Sequence, residues 1–222
     1  MGSSTGGYSA SKLVKFGWRQ VSSLGPGDDD VRSLSTACAA LDQRDLVTAY
    51  GPLAPVVGSN GNLSQRTGDG SGFVVTATQL PTKRDLRGAD FVYVDDFDFS
   101  GVADSMGTAD CRGPKLPSSE SIMHWSFYRE HSAVGAIVHV HEGTDLLYSA
   151  GSRASWARLG IVETRRGGGD GTLGLPESIR EVLTDLRQYV VLRDHCPPWD
   201  RAHRGVLVMG ETLEEALDRT LD

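Results

Sequence analysis

The sequence lacks the features of several protein classes. It contains no run of about 18 apolar residues, the length that a membrane-spanning helix requires. Its Gly/Ser-rich first ten residues lack the apolar core of a signal peptide. Basic residues form no stripe, and the formal net charge is −7 with a pI near 5.3. These absences argue against a membrane partner and against nucleic-acid binding, and they predict a soluble protein.

Cysteine is scarce and poorly arranged for crosslinking. The three cysteines, Cys38, Cys111 and Cys196, are odd in number and widely spaced, and no CxxC pair occurs. Such a set does not indicate a disulfide framework. We therefore expect a protein of the reducing cytoplasm.

Length and composition suit one domain. The 222 residues, 39% of them hydrophobic, are enough for a substantial core, and 27 glycines favour a loop-rich α/β protein. Residues 1–30 are polar and carry Gly25-Pro26-Gly27, so we expect a flexible lead-in there. A single domain is expected over residues 31–222.

Periodic patterns predict helices and strands along this domain. Helices are predicted over 31–41, from Ser118-Ser119-Glu120 to His131, from about Pro176 through Leu186, and after a capping box at Thr212-Leu213-Glu214-Glu215. Strands are predicted over 72–76, 90–94, 133–141, 189–192 and 205–209. Residues 58–64 are predicted as turn-rich, 95–117 as a polar connection, and 165–171 as a flexible loop.

Two histidines on one strand indicate a metal site. His139 and His141 are separated by one residue, and alternate side chains of a strand project from the same face. Two neutral imidazoles placed in this way can bind one metal ion together. Glu120, in the first turn of a predicted helix, and a later imidazole at His195 or His203 would complete the set.

The order of short motifs resembles the class II aldolase/adducin family. Gly-Asn-x-Ser at 61–64 is followed by Lys-Leu-Pro-Ser-Ser-Glu at 115–120, then by His-x-His at 139–141. A late histidine then precedes Gly-Val-Leu-Val-x-Gly-x-Thr-Leu-Glu-Glu-Ala at 205–216. The resemblance covers residues 31–222 and is greatest to the fuculose-phosphate aldolase branch.

This resemblance implies a fold, a cofactor and an assembly. The expected fold is α/β, with three α/β/α layers and a central, mostly antiparallel sheet. The expected cofactor is a divalent metal, usually Zn²⁺, with Fe²⁺, Mn²⁺ or Co²⁺ as alternatives, and active sites lie between the subunits of a homotetramer. Carried over to this chain, His139 and His141 match two metal ligands. Glu120 matches the residue that binds metal in the resting state and acts as the base.

The third ligand falls where the sequence departs from the family pattern. Family members have His-Gly at the end of a strand, whereas here the segment Cys196–Arg204 separates His195 from Gly205. Removing that segment restores the pattern with His195 in place, so His195 is favoured over His203. Cys196 is a further candidate, because thiolate also suits zinc.

The resemblance also implies a substrate-phosphate site, with two departures. The matching residues are Gly61, Asn62, Ser64, Ser118 and Ser119, near a helix N-terminus that favours anions. Where the family has Thr-Pro-Ser/Thr-Gly, this chain has 76–79 Thr-Ala-Thr-Gln, which leaves a phosphate or a carboxylate open. The tyrosine acid expected after the His-x-His strand is absent between 149 and 189. The candidate substitutes are Arg165, Arg166, Asp170 and Glu142.

The sequence therefore predicts a metal-dependent lyase of the aldolase type. It would cleave or form a C–C bond in a small hydroxy-carbonyl substrate through a metal-stabilised enediolate. An epimerase, dehydratase or decarboxylase on the same ligands is the alternative. A non-catalytic, adducin-like interaction module is the alternative of a different class.

Overall fold

One sheet organises the chain. The computed structural model describes residues 14–222 apart from 53, 55, 56, 101–105, 170 and 201. The strands within this part are β1 (Gly17–Ser22), β2 (Asn62–Arg66), β3 (Phe73–Thr76), β4 (Phe91–Asp98), β5 (Thr108–Arg112), β6 (Ala136–Gly143), β7 (Ile161–Glu163), β8 (Tyr189–Leu192) and β9 (His203–Gly210). They form a sheet in the order β1-β5-β4-β3-β2-β6-β9-β8-β7. Among the described strands, β1–β5 and β7–β8 pair in parallel and the other neighbours pair antiparallel.

Helices cover both faces of the sheet. They are α1 (Arg32–Asp42), α2 (Ser121–Glu130), α3 (Thr144–Tyr148), α4 (Ala150–Leu159), α5 (Gly174–Arg180) and α6 (Leu213–Leu221). On β2, Ser64 bonds to His124 and Tyr128 of α2. On the opposite face, Leu34 of α1 lies beside Gln65, the next residue of β2. Helix α1 contacts α6 and α2 contacts α5, so the predicted three-layer α/β/α fold with a mostly antiparallel sheet is confirmed.

Apolar spacing accounts for the helices that the sequence predicts best. On α1, Leu34, Cys38 and Leu41 are buried at helical spacing, as predicted. Helix α6 begins after Thr212, whose hydroxyl accepts the N–H of Glu215 at 3.1 Å. The other half of the predicted capping box differs, because the Glu215 carboxylate accepts the N–H of Glu211 at 2.8 Å. None of the helices in the described part of the chain is long and apolar enough to cross a membrane.

The helix predicted through Leu186 is shorter in the structure. Helix α5 ends at Arg180, and the chain continues in turns. The side-chain oxygen of Gln188 accepts the N–H groups of Thr184 and Asp185, which replaces helical bonding there. The apolar residues that suggested a longer helix, Val182, Leu183 and Leu186, pack against the core from these turns.

Several short elements lack a periodic signal that could have predicted them. Strand β1 lies inside the predicted lead-in 1–30, of which residues 1–13 lie outside the described part. Strand β5 lies inside the predicted polar connection 95–117, and β2 overlaps the turn-rich segment. Helices α3 and α4 and strand β7 were also not predicted. The side chains of β1 are mostly exposed, so the parallel pairing with β5 rather than an apolar face defines that strand.

Candidate active site

The two strand histidines lie on one face of β6, as the alternation predicts. His139 pairs with Asn62 of β2 on one side and with Leu207 of β9 on the other. Both imidazoles are buried, at 0% exposure for His139 and 4% for His141. The strand in the structure is Ala136–Gly143, three residues later at its start than predicted.

His195, not His203, lies beside these two histidines. Candidate ligand nitrogens of His139, His141 and His195 all lie within 4.8 Å of one another. The Nε2 atoms of His139 and His195 are 3.0 Å apart. The Nδ1 of His203 instead lies 2.6 Å from a carboxylate oxygen of Asp200.

Glu120 faces the same cluster from the start of α2. It occupies the N-cap position, before the first turn in which the sequence placed it, and its side chain does not cap the helix. Its Oε2 lies 3.2 Å from His139 Nε2 and its Oε1 lies 3.0 Å from His195 Nε2. Asn62 Nδ2 donates to Oε2 at 2.6 Å, which fixes the carboxylate.

Burial and mutual contact set the charge states of this cluster. Burial lowers the pKa of His139 to about 3, because the imidazolium loses its hydration, so the ring is neutral at neutral pH. Burial also raises the pKa of the Glu120 carboxyl, but His139, His195 and the Asn62 amide outweigh it and hold the pKa well below its usual value. The cluster therefore presents a carboxylate and a neutral His139 ring, the protonation states that bind metals.

The donor atoms fit a divalent metal. His139 Nδ1 donates to the carbonyl oxygen of Val206 at 2.8 Å, so its Nε2 carries a lone pair toward His195. Glu120 Oε1 is buried and lies 3.0 Å from His195 Nε2. A lone pair and an acceptor oxygen facing the same point are the arrangement that a cation satisfies. Three imidazoles and one carboxylate are ligands typical of zinc.

Sequence reasoning missed Asp200, which contacts a candidate metal ligand. It follows Trp199 in a short 3₁₀ turn, Pro198–Asp200, within the segment that interrupts the family pattern. Its Oδ2 lies 2.5 Å from His141 Nδ1. Burial raises the pKa of Asp200, but contacts with His141 and His203 lower it below its usual value overall. Cys196, which the sequence offered as a ligand, lies with its Sγ 3.4 Å from the same nitrogen.

A cavity of about 280 Å³ opens onto the cluster. Its walls include four of the five residues matched to a phosphate site, Gly61, Asn62, Ser118 and Ser119, together with Glu120, His141 and His195. Ser64 does not line it and bonds to α2 instead. Gln79, where the family has glycine, keeps a left-handed backbone with φ of 56° and lines the same wall.

Three of the four candidate proton donors named from the sequence lie away from this cavity. Arg166 bonds to Glu181 on the surface, and Arg165 is exposed. Glu142 lines a different groove, beyond the strand face that carries the histidines. Asp170 lies outside the described residues. Tyr50, which the sequence did not single out, lines the cavity near Trp199, with ring centroids 6.3 Å apart.

The sheet and this cluster define an α/β scaffold with a buried site of three histidines and a glutamate, and comparison with known proteins identifies its family. The profile described as Class II Aldolase and Adducin N-terminal domain matches residues 33–222. The chain belongs to the class II aldolase and adducin family.

Curated relatives of this chain are lyase-type enzymes. A 5-methylthioribulose-1-phosphate/5-deoxyribulose-1-phosphate aldolase from Rhodospirillum rubrum is 30% identical over 167 residues, 72% of this chain and 65% of that protein. A methylthioribulose-1-phosphate dehydratase from Sorangium cellulosum is 37% identical over 83 residues, 37% of this chain and 34% of that protein. The matches thus cover less than two thirds of each relative's length.

Solved structures share the fold. An L-fuculose 1-phosphate aldolase superposes with a TM-score of 0.59 at 20% identity, over 89% of this chain and 82% of that chain. An aldolase II superfamily protein from Pseudomonas syringae gives 0.56 at 18% identity, over 89% and 72%. At these identities the likeness is evidence for the fold alone.

Proposed function

We propose that this protein is a metal-dependent lyase of the aldolase type. It cleaves or forms a C–C bond in a small hydroxy-carbonyl compound that carries a phosphate. The observation that supports this most strongly is the convergence of His139, His141, His195 and Glu120 at the edge of a cavity that the last three line together with residues matched to a phosphate site. Convergent polar groups in a concave site are the usual basis for such an assignment.

Each member of the cluster has a role in this proposal. His139, His141 and His195 would hold the metal, with Glu120 as a further ligand when no substrate is bound. A bound divalent metal, most simply Zn²⁺, supplies Lewis-acid stabilisation of the negative charge that develops on substrate oxygens. Because Glu120 is ionised, it takes up the substrate hydroxyl proton when the neighbouring C–C bond breaks.

The remaining walls fit a phosphorylated substrate with an apolar end. Ser118 and Ser119 immediately precede the N-terminus of α2, where backbone N–H groups and the helix dipole favour an anion. Tyr50 and Trp199 line another part of the cavity and present aromatic surface. A ketose phosphate with an apolar substituent, such as 5-methylthioribulose 1-phosphate, is therefore the first substrate to test.

Dehydration of the same substrate is the second candidate. It is favoured by the absence of a tyrosine between residues 149 and 189, since C–C cleavage needs an acid for the leaving fragment and the substitutes Arg165, Arg166 and Glu142 lie elsewhere. The products distinguish the reactions. Cleavage divides the carbon skeleton into a three-carbon ketose phosphate and an aldehyde, whereas dehydration keeps the skeleton and loses one water.

The first experiment measures metal and products together. Wild type, His139→Ala and the control His131→Ala, which changes a histidine of the α2 C-terminus, are stripped with chelator and reloaded with Zn²⁺, Co²⁺ or Mn²⁺. We expect about one metal per chain in wild type and His131→Ala, and almost none in His139→Ala. Mass spectrometry of the products with 5-methylthioribulose 1-phosphate then identifies the reaction.

The opposite result would redirect the assignment. Wild-type protein that binds no divalent metal and forms no product contradicts the proposal and favours an adducin-like interaction module. Loss of metal in His131→Ala as well would mean that histidine replacement acts through stability rather than ligation.

We further propose that the protein assembles as a homotetramer. Leu146 and Leu159 are 69% and 66% exposed, and they border a groove of about 650 Å³ that Trp156 also lines. Exposed apolar surface of this kind marks interaction sites. Light scattering coupled to size-exclusion chromatography gives the mass, and a stable monomer at micromolar concentration would contradict the proposal.

A further inference from the structure

The segment that follows His195 places a carboxylate behind a candidate metal ligand. Asp200 is the last residue of the turn Pro198–Asp200. Its backbone N–H donates to the Pro197 carbonyl oxygen at 2.9 Å and closes the turn. The side chain is 8% exposed, and its Oδ2 lies 2.5 Å from His141 Nδ1. An imidazole whose Nδ1–H donates to a carboxylate keeps the lone pair on Nε2, the nitrogen left for the cluster.

The two strand histidines are oriented by different means. His139 Nδ1 donates to the backbone carbonyl of Val206, and any residue at position 206 supplies that acceptor. The acceptor for His141 is a side chain instead, contributed by the segment Cys196–Arg204. The orientation of His141 therefore depends on side chains of that segment, of which Asp200 at 2.5 Å lies closer to Nδ1 than Cys196 at 3.4 Å.

We propose that Asp200 is a positioning residue, which fixes the tautomer and ring orientation of His141 so that its Nε2 faces the metal. The inference rests on the proposed function, because it assumes that the cluster holds a metal. It also assigns a role to the interrupting segment, which builds part of the site. Replacing a carboxylate that accepts the N–H of a metal-ligating histidine typically lowers metal affinity by about 10- to 100-fold.

Asp200 also contacts His203, so a test must separate the effect of that contact from the effect of the contact with His141. Its Oδ1 lies 2.6 Å from Nδ1 of His203, which is the first residue of β9. Asn60 Nδ2 lies 3.5 Å from Oδ2, a weak contact. A purely structural role would act through His203, by holding the segment in place, and not through His141.

The experiment compares metal affinity in four proteins. Wild type, Asp200→Asn, Asp200→Ala and the matched control His203→Gln are stripped, and Zn²⁺ affinity is measured by competition with a chromogenic chelator. The visible absorption of the Co²⁺-loaded proteins reports ligand geometry, and thermal unfolding of the metal-free proteins reports folding. Asp200→Asn retains an acceptor oxygen, so it keeps the test decisive if Asp200→Ala does not fold.

We expect Zn²⁺ affinity to fall in the order wild type, Asp200→Asn, Asp200→Ala. Asp200→Ala should lose about 10- to 100-fold with an altered Co²⁺ spectrum, and His203→Gln should stay close to wild type. Equal affinity in all four proteins overturns the inference while leaving the proposed function standing. So does an equal loss in His203→Gln. Wild-type protein without any metal affinity overturns both.

A second metal would also overturn the inference. His141, Cys196 and Asp200 offer ligand atoms within 4.8 Å of one another. If wild type binds two equivalents and Cys196→Ser binds one, Asp200 acts as a ligand of its own metal.

Discussion

Replacing Gly205 with alanine should displace His195 and weaken metal binding. Gly205 lies on β9 opposite His141, and the ring of His195 packs on its backbone. A Cβ added there would lie 2.3 Å from His195 Cδ2 and 3.1 Å from His139 Cε1. Its backbone is outside the left-handed region, so alanine is excluded by space and not by conformation.

The magnitude follows from the overlap. Carbon atoms pack at about 3.5–4.0 Å, so the His195 ring must retreat by about 1 Å or more. A displacement of about 1 Å at a reacting centre costs about 10²-fold, and disturbed ligand orientation costs about 10- to 100-fold in metal affinity. Overpacking should also destabilise the fold by about 1–3 kcal/mol.

The assay measures Zn²⁺ affinity by chelator competition and unfolding of the metal-free protein in urea. The matched control is Gly143→Ala, on the adjacent strand β6, where the nearest contact of an added Cβ is Leu146 Cδ1 at 3.8 Å. We expect Gly205→Ala to lose at least about tenfold in affinity and Gly143→Ala to bind like wild type. Wild-type affinity in Gly205→Ala would refute the reasoning, because His195 would then not be needed where the structure places it.

Two further predictions concern stability. Burial lowers the pKa of Lys83 from 10.5 to about 8, so the folded protein binds fewer protons than the unfolded chain between these values. Wild type should therefore gain up to about 3 kcal/mol relative to Lys83→Met as pH rises from 8 to 10.5, and a constant difference in urea unfolding would contradict this. Thr212→Ala removes the hydroxyl that accepts the Glu215 N–H, and it should lower the free energy of unfolding by about 1 kcal/mol in the same assay.

The sequence predicts those helices and strands in which the spacing of residues determines which side chains share a face. Helix α1 buries Leu34, Cys38 and Leu41, and β6 alternates so that His139 and His141 share a side. These patterns are local, and any structure that buries the apolar face preserves them.

The elements that could not be predicted depend on partners remote in sequence. Strand β1 exists because it pairs with β5, more than 80 residues later, and its own side chains carry little apolar signal. Helix α5 ends early because one side-chain oxygen of Gln188, from beyond the helix, accepts two N–H groups of the chain after it. Local sequence patterns depend on neighbouring residues and carry no information about contacts with remote ones.

The candidate site also contains residues that a local pattern predicts and residues that it does not, and Asp200 is one of the second kind. An aspartate after Pro-Pro-Trp in a polar segment carries no periodic signal, and its proximity to His141 arises from the anchoring of the segment at both ends. One end follows His195 directly, and the other enters β9 at His203, which pairs with Gly143 two residues beyond His141. The Ala202 carbonyl also accepts the N–H of Thr144 at 2.7 Å. Pro197 and Trp199 of this segment line the cavity beside the cluster, so the segment contributes to the candidate site through contacts that no local pattern could have predicted.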